Sequence, residues 1–348
     1  MMKNPGNTIH RLRRSLRKIT RPLRHRVVYW TVALMSRSLV LLGLDRARRF
    51  GAALALGGMR LFPGERRKIL KNIEMAYRDE LDAEKREQLY KASVRNLGMM
   101  AAEGAFIATG RDADIFANIR VEGEDTLSRI PADCGLLFVT AHYGLWETMP
   151  RALLPHTDMA CAVVAREIEN PHFEKVLNEA RRRNGVTILT RGRSGREYIR
   201  FLRQGNGLAV LGDIDTRKGD GLFVEFFGRP AWTQRGIARL AKSGKAMLAV
   251  GFIERDLDDP SRHTVKFGPL VEWPETRNRQ EWEERLTQAY THEIERAVRR
   301  RPDQWMWMHR RWRHQPDDPK QWRKAWEAKG LAGKAPHPAP DPRIFRKP

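Results

Sequence analysis

The chain of 348 residues has only two cysteines, Cys134 and Cys161, each in an apolar stretch. Neither belongs to a CxxC pair or a Cys/His cluster, which excludes a disulfide framework and a zinc knuckle and fits a reducing compartment. No GxSxG and no HExxH occurs, so the sequence offers neither a nucleophile elbow nor a metalloprotease helix. No acidic residue precedes Asp45, although ten Lys and Arg do. The longest apolar run, "VVYWTVALMSRSLVLLGL" from Val27 to Leu44, is broken by Arg37. It lies near the lower limit for crossing a hydrocarbon layer of roughly 30 Å, where a central arginine is costly. No small-residue cleavage site follows it, which argues against a secretory leader. There is no internal repeat.

What the chain does have is positive charge. Lys and Arg number 65 against 42 Asp and Glu, a formal charge of +23. Such an excess selects an anionic partner, either nucleic acid or an acidic membrane surface. The ten tryptophans tilt this toward the membrane, since Trp favours the headgroup zone. No RNP signature or zinc finger supports the competing class, a non-catalytic nucleic-acid-binding protein. The basic segment "RLRRSLRKITRPLRHR" followed by the apolar run reads as a cytoplasm-facing membrane anchor, spanning the bilayer or lying on it. The alternative is a soluble amphipathic helix with a basic arm.

Three regions are expected: the arm and anchor over 1–45, a catalytic domain over 46–315 and a polar, Pro-rich, largely disordered tail over 316–348. Within the domain, residues 46–117 are expected to be helical, with Leu89, Ala92, Val94 and Leu97 at mostly helical spacing. From 118 to 315 short apolar runs alternate with helical segments. "GLLFVTA", "MACAVVA", "VTILT", "GLAVLGD", "LFVEFF" and "AMLAVGFIE" read as strands. "HFEKVLNEARRRNG", "SGREYIRFLRQGN" (with Ser194 as a cap) and a long helix closed by Pro302 lie among them. The rhythm predicts an α/β fold with a central, mostly parallel or mixed sheet flanked by helices.

In such sheets ligands bind beyond the carboxyl ends of strands. "GLLFVTAHYGLWETMP" puts His142 at one such end, with Gly144 able to turn sharply or approach a ligand. Five residues apart, His142 and Glu147 do not share a face of one continuous helix. They can meet if His142 stands on the turn and Glu147 in the first turn of the next helix, the carboxylate then orienting a basic imidazole. With no GxSxG and no Cys beside the histidine, the hydroxyl to be activated would belong to the substrate; the alternative is a core histidine and a helix-start glutamate. Arg166 follows the second strand and Asp213 and Asp215 a later one. The arginine could hold a phosphate or carbonyl oxygen, or form a structural salt bridge. The aspartates read as a turn or polar contact in preference to a Mg²⁺ site. Phe223, Phe226, Phe227 and Trp232 belong either to the core or to the wall of an acyl-chain site.

The segments "AHYGLWE", "AREIENP", "GDIDTRKGDGLFVEFFGRPAWTQRGIARLA" and "PDQWMWMHRRWR", in that order, carry a resemblance that extends from about Arg46 to Arg313. The chain resembles the lipid A biosynthesis acyltransferases, the late lauroyl/myristoyl transferases of Gram-negative bacteria, within the broader HxxxxD/E acyltransferase superfamily. The resemblance implies a glycerolipid acyltransferase-like fold and an enzyme at the cytoplasmic face of the inner membrane. It implies transfer of a fatty acyl chain from acyl carrier protein or coenzyme A to a hydroxyl of a lipid A precursor or another glycolipid or phospholipid. No cofactor and no nucleic acid are implied. In that scheme His142 is the base and Glu147 its partner. Arg166, Asp213, Gly144, Phe226, Phe227 and Arg310 fall to substrate binding, with backbone N–H groups near Gly144 or the Arg166 guanidinium meeting the oxyanion. Arg191, Arg193, Arg196, Arg310 and Arg311 are candidates to meet lipid phosphates or an acidic carrier protein. The family often has Asp-Gln where this chain has Asp213-Ile214, so any role of that glutamine is absent.

Overall fold

The computed structural model describes residues 5–190, 195–333 and 338–345, with side chains described from Thr20 onward. Four helices come first: α1 (Pro5–Leu41), α2 (Leu44–Gly58), α3 (Pro63–Tyr77) and α4 (Ala83–Thr109). The Asp82 carboxylate caps α4 by accepting from the Lys85 N–H, satisfying one of the first-turn donors that a helix cannot pair itself. Helices α2 and α4 touch backbone to backbone. A Cβ on Gly51 would lie 2.4 Å from the Gly98 carbonyl oxygen, and one on Gly98 would lie 2.3 Å from that of Gly51. Only glycine permits this crossing.

After α5 (Ala113–Ala117) the chain alternates. Strands β1 (Ile119–Glu122), β2 (Leu136–Thr140), β3 (Cys161–Ala165), β4 (Thr187–Thr190), β5 (Gly207–Leu211), β8 (Met247–Arg255) and β9 (His263–Val271) build one sheet. Its order is β1-β9-β8-β2-β5-β3-β4. Neighbours run parallel except for β8 and β9. Short α6 (Asp125–Ser128) and α7 (Met149–Leu153), and longer α8 (Pro171–Arg183), α9 (Gly195–Arg203), α10 (Gly236–Gly244) and α11 (Arg279–Arg300), connect and cover the strands. Every residue of β2 is buried, as befits a central strand with both faces covered. At the carboxyl end of β8 Glu103 of α4 is buried between Arg255 of β8, at 2.6 and 2.7 Å, and Arg48 of α2, at 2.8 Å. The lone charge that burial would punish is thereby shared between two cations, and the helices are fastened to the sheet.

Three expectations need correction. "LFVEFF" does not join the central sheet. It forms β6 (Gly221–Phe226), which pairs antiparallel with β7 (Arg229–Gln234) alone, as a separate hairpin. Phe227 and Gly228 make its two-residue turn at φ 54° and 65°, the double left-handed geometry that matches the twist of flanking strands. Next, a membrane-spanning anchor is not supported. Among the described residues no helix is long and apolar enough to cross a membrane. The Val27–Leu44 run lies mostly in α1, where Arg37 and its polar neighbours lower the hydropathy of every window. Finally, the residues expected to be a disordered tail hold helix α12 (Pro319–Ala328), capped by Asp318. Trp326 on α12 is buried against Leu222 and Val224, and its Nε1 donates to Gln288 Oε1 at 3.0 Å. A Pro-rich average concealed the Trp322–Trp326 pair, whose apolar area offsets the cost of ordering the segment.

Candidate active site

The register of the sheet assembles the site. Thr140, the last residue of β2, pairs with Leu211, the last of β5. Two residues further on each strand stand His142 and Asp213. Their contact follows: the His142 N–H donates to Asp213 Oδ2 at 3.0 Å, and His142 Nδ1 lies 2.9 Å from Asp213 Oδ1. Trp305 Nε1 donates to the same carboxylate at 2.9 Å. Asp213 is 1 % exposed. Burial alone would raise its pKa, but His142, His309 and the hydrogen bonds hold it well below the usual carboxylate range. Burial likewise pulls the His142 imidazole down, but the Asp213 charge and hydrogen bond, with Glu147 adding, raise it above its ordinary value. With Nδ1–H donating to Asp213, the lone pair sits on Nε2, which makes no hydrogen bond to a described residue. That is the tautomer a general base needs.

The "QWMWMH" segment clamps this turn. Tyr143 pairs with Trp305 in an isolated β-bridge, Met306 N–H donates to the His142 carbonyl at 3.0 Å, and Gly144 N–H donates to the Gln304 carbonyl at 3.0 Å. The Gly144 amide is thus committed and not free for an oxyanion. Gly144 itself has φ 53°, and a Cβ there would fall 1.9 Å from the Ile253 carbonyl oxygen. Gly144→Ala should therefore destabilise the protein by at least about 2 kcal/mol through left-handed strain and overpacking. The check is a thermal melt, with a fall of several degrees expected and an unchanged midpoint contradicting this reading of the turn.

Glu147 is not beside His142. Its carboxylate forms a bidentate pair with Arg181 of α8, at 2.8 and 3.0 Å, and makes no hydrogen bond or ion pair with His142. The expected orienting contact is supplied by Asp213 instead. Arg166 lies exposed just beyond β3, with no hydrogen bond or ion pair among the described residues. Arg196 and Arg310 are also exposed, and Arg191, Arg193 and Ser194 lie outside the described residues. Arg311 is fully buried, donating to the Trp232 carbonyl and to Thr233 Oγ1 at 2.8 and 2.6 Å, so it does not face a lipid phosphate. Asp215 is engaged by His314 Nδ1 and Arg313. Phe226 and Phe227 are core residues. They pack among Trp305, Trp307, Trp312 and Tyr77, which removes them from an acyl-chain wall.

The sequence reading missed His309. Its ring centre lies 4.5 Å from that of His142, and its buried Nε2 has no hydrogen-bond partner among the described residues. Burial lowers its pKa; Asp213 raises it, and His142 lowers it again. Of two touching imidazoles, the one bonded to Asp213 keeps the proton. Also missed was an apolar cavity of about 1050 Å³, its open mouth included, between β2, β3, β5 and α8. His142 does not line it, but Trp146, whose ring centre is 5.2 Å from that of His142, does. Glu147 and Arg181 stand in the same wall. Spacing carries no signal for such a space, since strand residues lining it read as ordinary core.

Comparison with known proteins accords with this geometry. The family described as bacterial lipid A biosynthesis acyltransferase matches residues 16–314. A lipid A biosynthesis acyltransferase of Haemophilus influenzae is 26 % identical over 295 residues, covering 84 % of this chain and 92 % of the relative. The lipid A biosynthesis palmitoleoyltransferase of Escherichia coli is 26 % identical over 260 residues, covering 71 % and 78 %. The myristoyltransferase of the same organism is 23 % identical over 252 residues, covering 72 % and 75 %. With most of its length inside the family match, the chain belongs to the bacterial lipid A biosynthesis acyltransferases and is an enzyme that transfers acyl groups.

Proposed function

We propose that the chain moves a fatty acyl group from a thioester, on acyl carrier protein or coenzyme A, to a hydroxyl of a lipid A precursor. The observation that carries this is the His142–Asp213 pair. The Nε2 of His142 makes no hydrogen bond to a described residue, and among the described residues no Ser, Thr or Cys side chain hydrogen-bonds to the imidazole. Nε2 takes the proton from the acceptor hydroxyl, the oxygen attacks the thioester carbonyl, and the thiol departs with the proton from His142. Arg166, two strand spacings or roughly 10 Å along the sheet edge, is the oxyanion donor this reading favours. Glu147 acts by its charge on His142 and by fixing Arg181 at the cavity wall. The acyl chain lies in the large cavity, each buried methylene contributing about 0.8 kcal/mol.

In this reading the protein works at the cytoplasmic face of the inner membrane, with α1 lying on the surface. Leu23, Val27, Trp30 and Leu34 of α1 are exposed, and Arg21, Arg24 and Arg26 stand among them. Each basic residue near an anionic surface contributes about 1 kcal/mol. The same positive field suits an acidic carrier protein.

The test gives purified protein a carrier protein loaded with a labelled acyl chain and a lipid A precursor. Label is expected in the lipid, as an ester. Label that stays on the carrier, or reaches water alone, would falsify the proposal.

A further inference from the structure

A second apolar chamber adjoins the first. It holds about 830 Å³, again with its mouth, between α4 and α8. Met100, Gly104 and Ala108 of α4 face Phe173 and Val176 of α8 across it, with Ile168 at the rim. The two chambers share walls at Ile107, Trp146, Glu147, Leu177 and Ala180. Their common partition thus includes the Trp146–Glu147 turn, four and five residues after His142, beside Ile107 of α4 and Leu177 and Ala180 of α8. One chamber suffices for a donor chain, so the second calls for a different occupant.

Its surroundings point to that occupant. The first chamber runs beneath strands β2, β3 and β5 and is walled by the sheet. The second opens beside α1. Phe173 meets Tyr29 of α1 edge-on with ring centres 5.9 Å apart, His172 lies tilted against it at 5.1 Å, and Asn170 Nδ2 donates to the His25 carbonyl at 3.0 Å. The half-buried Tyr29 and His25 thus hold α1 against the start of α8 beside the chamber, and Ile168 at its rim is itself exposed. A hydrocarbon chain leaving a lipid layer would enter past Ile168 and Phe173, with its polar headgroup beside Arg21, Arg26 and Glu169 between α1 and the start of α8.

Resting on the acyl-transfer reading, we propose that the chamber between α4 and α8 holds a hydrocarbon chain of the acceptor lipid, while the donor's acyl chain occupies the chamber under the sheet. The two chains then approach the reacting centre from opposite sides of Trp146. A bound acceptor chain aligns its lipid's hydroxyl with His142 before the donor arrives, so the enzyme selects acceptors by their lipid part as well as by their headgroup.

Gly104→Phe tests this. A Cβ on Gly104 would meet no atom within 4 Å, so the new ring fills chamber space without a clash at its root, and replacing a mid-helix glycine does not weaken α4. Initial rates are measured with the purified full chain, varying acceptor lipid at saturating labelled thioester and then the reverse. The acceptor KM is expected to rise more than about ten-fold, comparable to two methylenes left unburied. The donor KM, donor chain-length preference and melting temperature are expected to hold. An acceptor with shortened chains should reproduce the defect in the wild type and add little to it in the variant. If the variant's acceptor KM is unchanged, or if its donor KM or chain preference shifts instead, the assignment of this chamber is overturned while acyl transfer stands. A wild type that moves no label to lipid overturns the acyl-transfer reading, and this assignment with it.

Discussion

His142→Ala lowers kcat/KM for acyl transfer by about 100- to 10,000-fold, the range a positioned general base supplies. The side chain is half-buried and bonded only to Asp213, so its removal leaves the backbone turn, held by Gln304 and Met306, in place. The expected signature is a fall in kcat with a melting curve close to that of the wild type and donor binding preserved, because the large cavity does not include His142. Transfer at the wild-type rate would remove His142 from the chemistry.

Asp213→Asn is expected to cost nearly as much, again about 100- to 10,000-fold, although Asp213 is buried behind His142. Its two oxygens accept from three donors: His142 N–H, His142 Nδ1–H and Trp305 Nε1–H. An amide has one oxygen. If that oxygen keeps the backbone and Trp305 bonds, the amide NH₂ faces Nδ1 and forces it to accept. The ring proton then moves to Nε2, and the nitrogen that should take the substrate's proton already carries one. The discriminating readout is kcat against KM, since loss of a tautomer lowers kcat and leaves lipid and thioester binding intact. A rise in both KM values with kcat unchanged would assign Asp213 to binding.

The contrast between Glu147 and Asp213 shows what the sequence can and cannot carry. His142 was legible because the run Leu136–Val139 is apolar throughout and a glycine follows two residues after the histidine, which marks a strand end and a turn. Asp213 was legible as another strand end. That the two meet was not, because 71 residues separate them and only the parallel pairing of β2 with β5 aligns them. Local spacing pointed instead to Glu147, whose true partner, Arg181, stands in an Arg-Arg-Arg run that reads as a solvated helix end. Phe226 and Phe227 were recognised as a specific apolar pattern, but alternation does not distinguish a core aromatic from one beside a cavity. The α/β rhythm gave five of the sheet's seven strands, β2, β3, β4, β5 and β8; β1 and β9, with weaker apolar patterns, were not read, and β6 left the sheet for a hairpin with β7. Both chambers depend on where side chains fail to fill space, and no residue pattern encodes that. His309 sat in plain view in "QWMWMHRRWR". Only the docking of that segment on the His142 turn brings the two rings together.

The pH dependence of kcat/KM, measured for the wild type beside Asp213→Asn, tests the central claim most directly. His142 must be neutral to accept a proton, and Asp213 raises its pKa above the ordinary value against the opposing effect of burial. Activity of the wild type should therefore rise with pH through a midpoint above about 6.5, the unperturbed histidine value. Removing the carboxylate charge removes the raising effect, so the residual activity of Asp213→Asn should rise through a midpoint at lower pH. An acid limb that stays where it was in the variant, or a wild-type midpoint below the ordinary histidine value, would contradict a base at His142 tuned by Asp213.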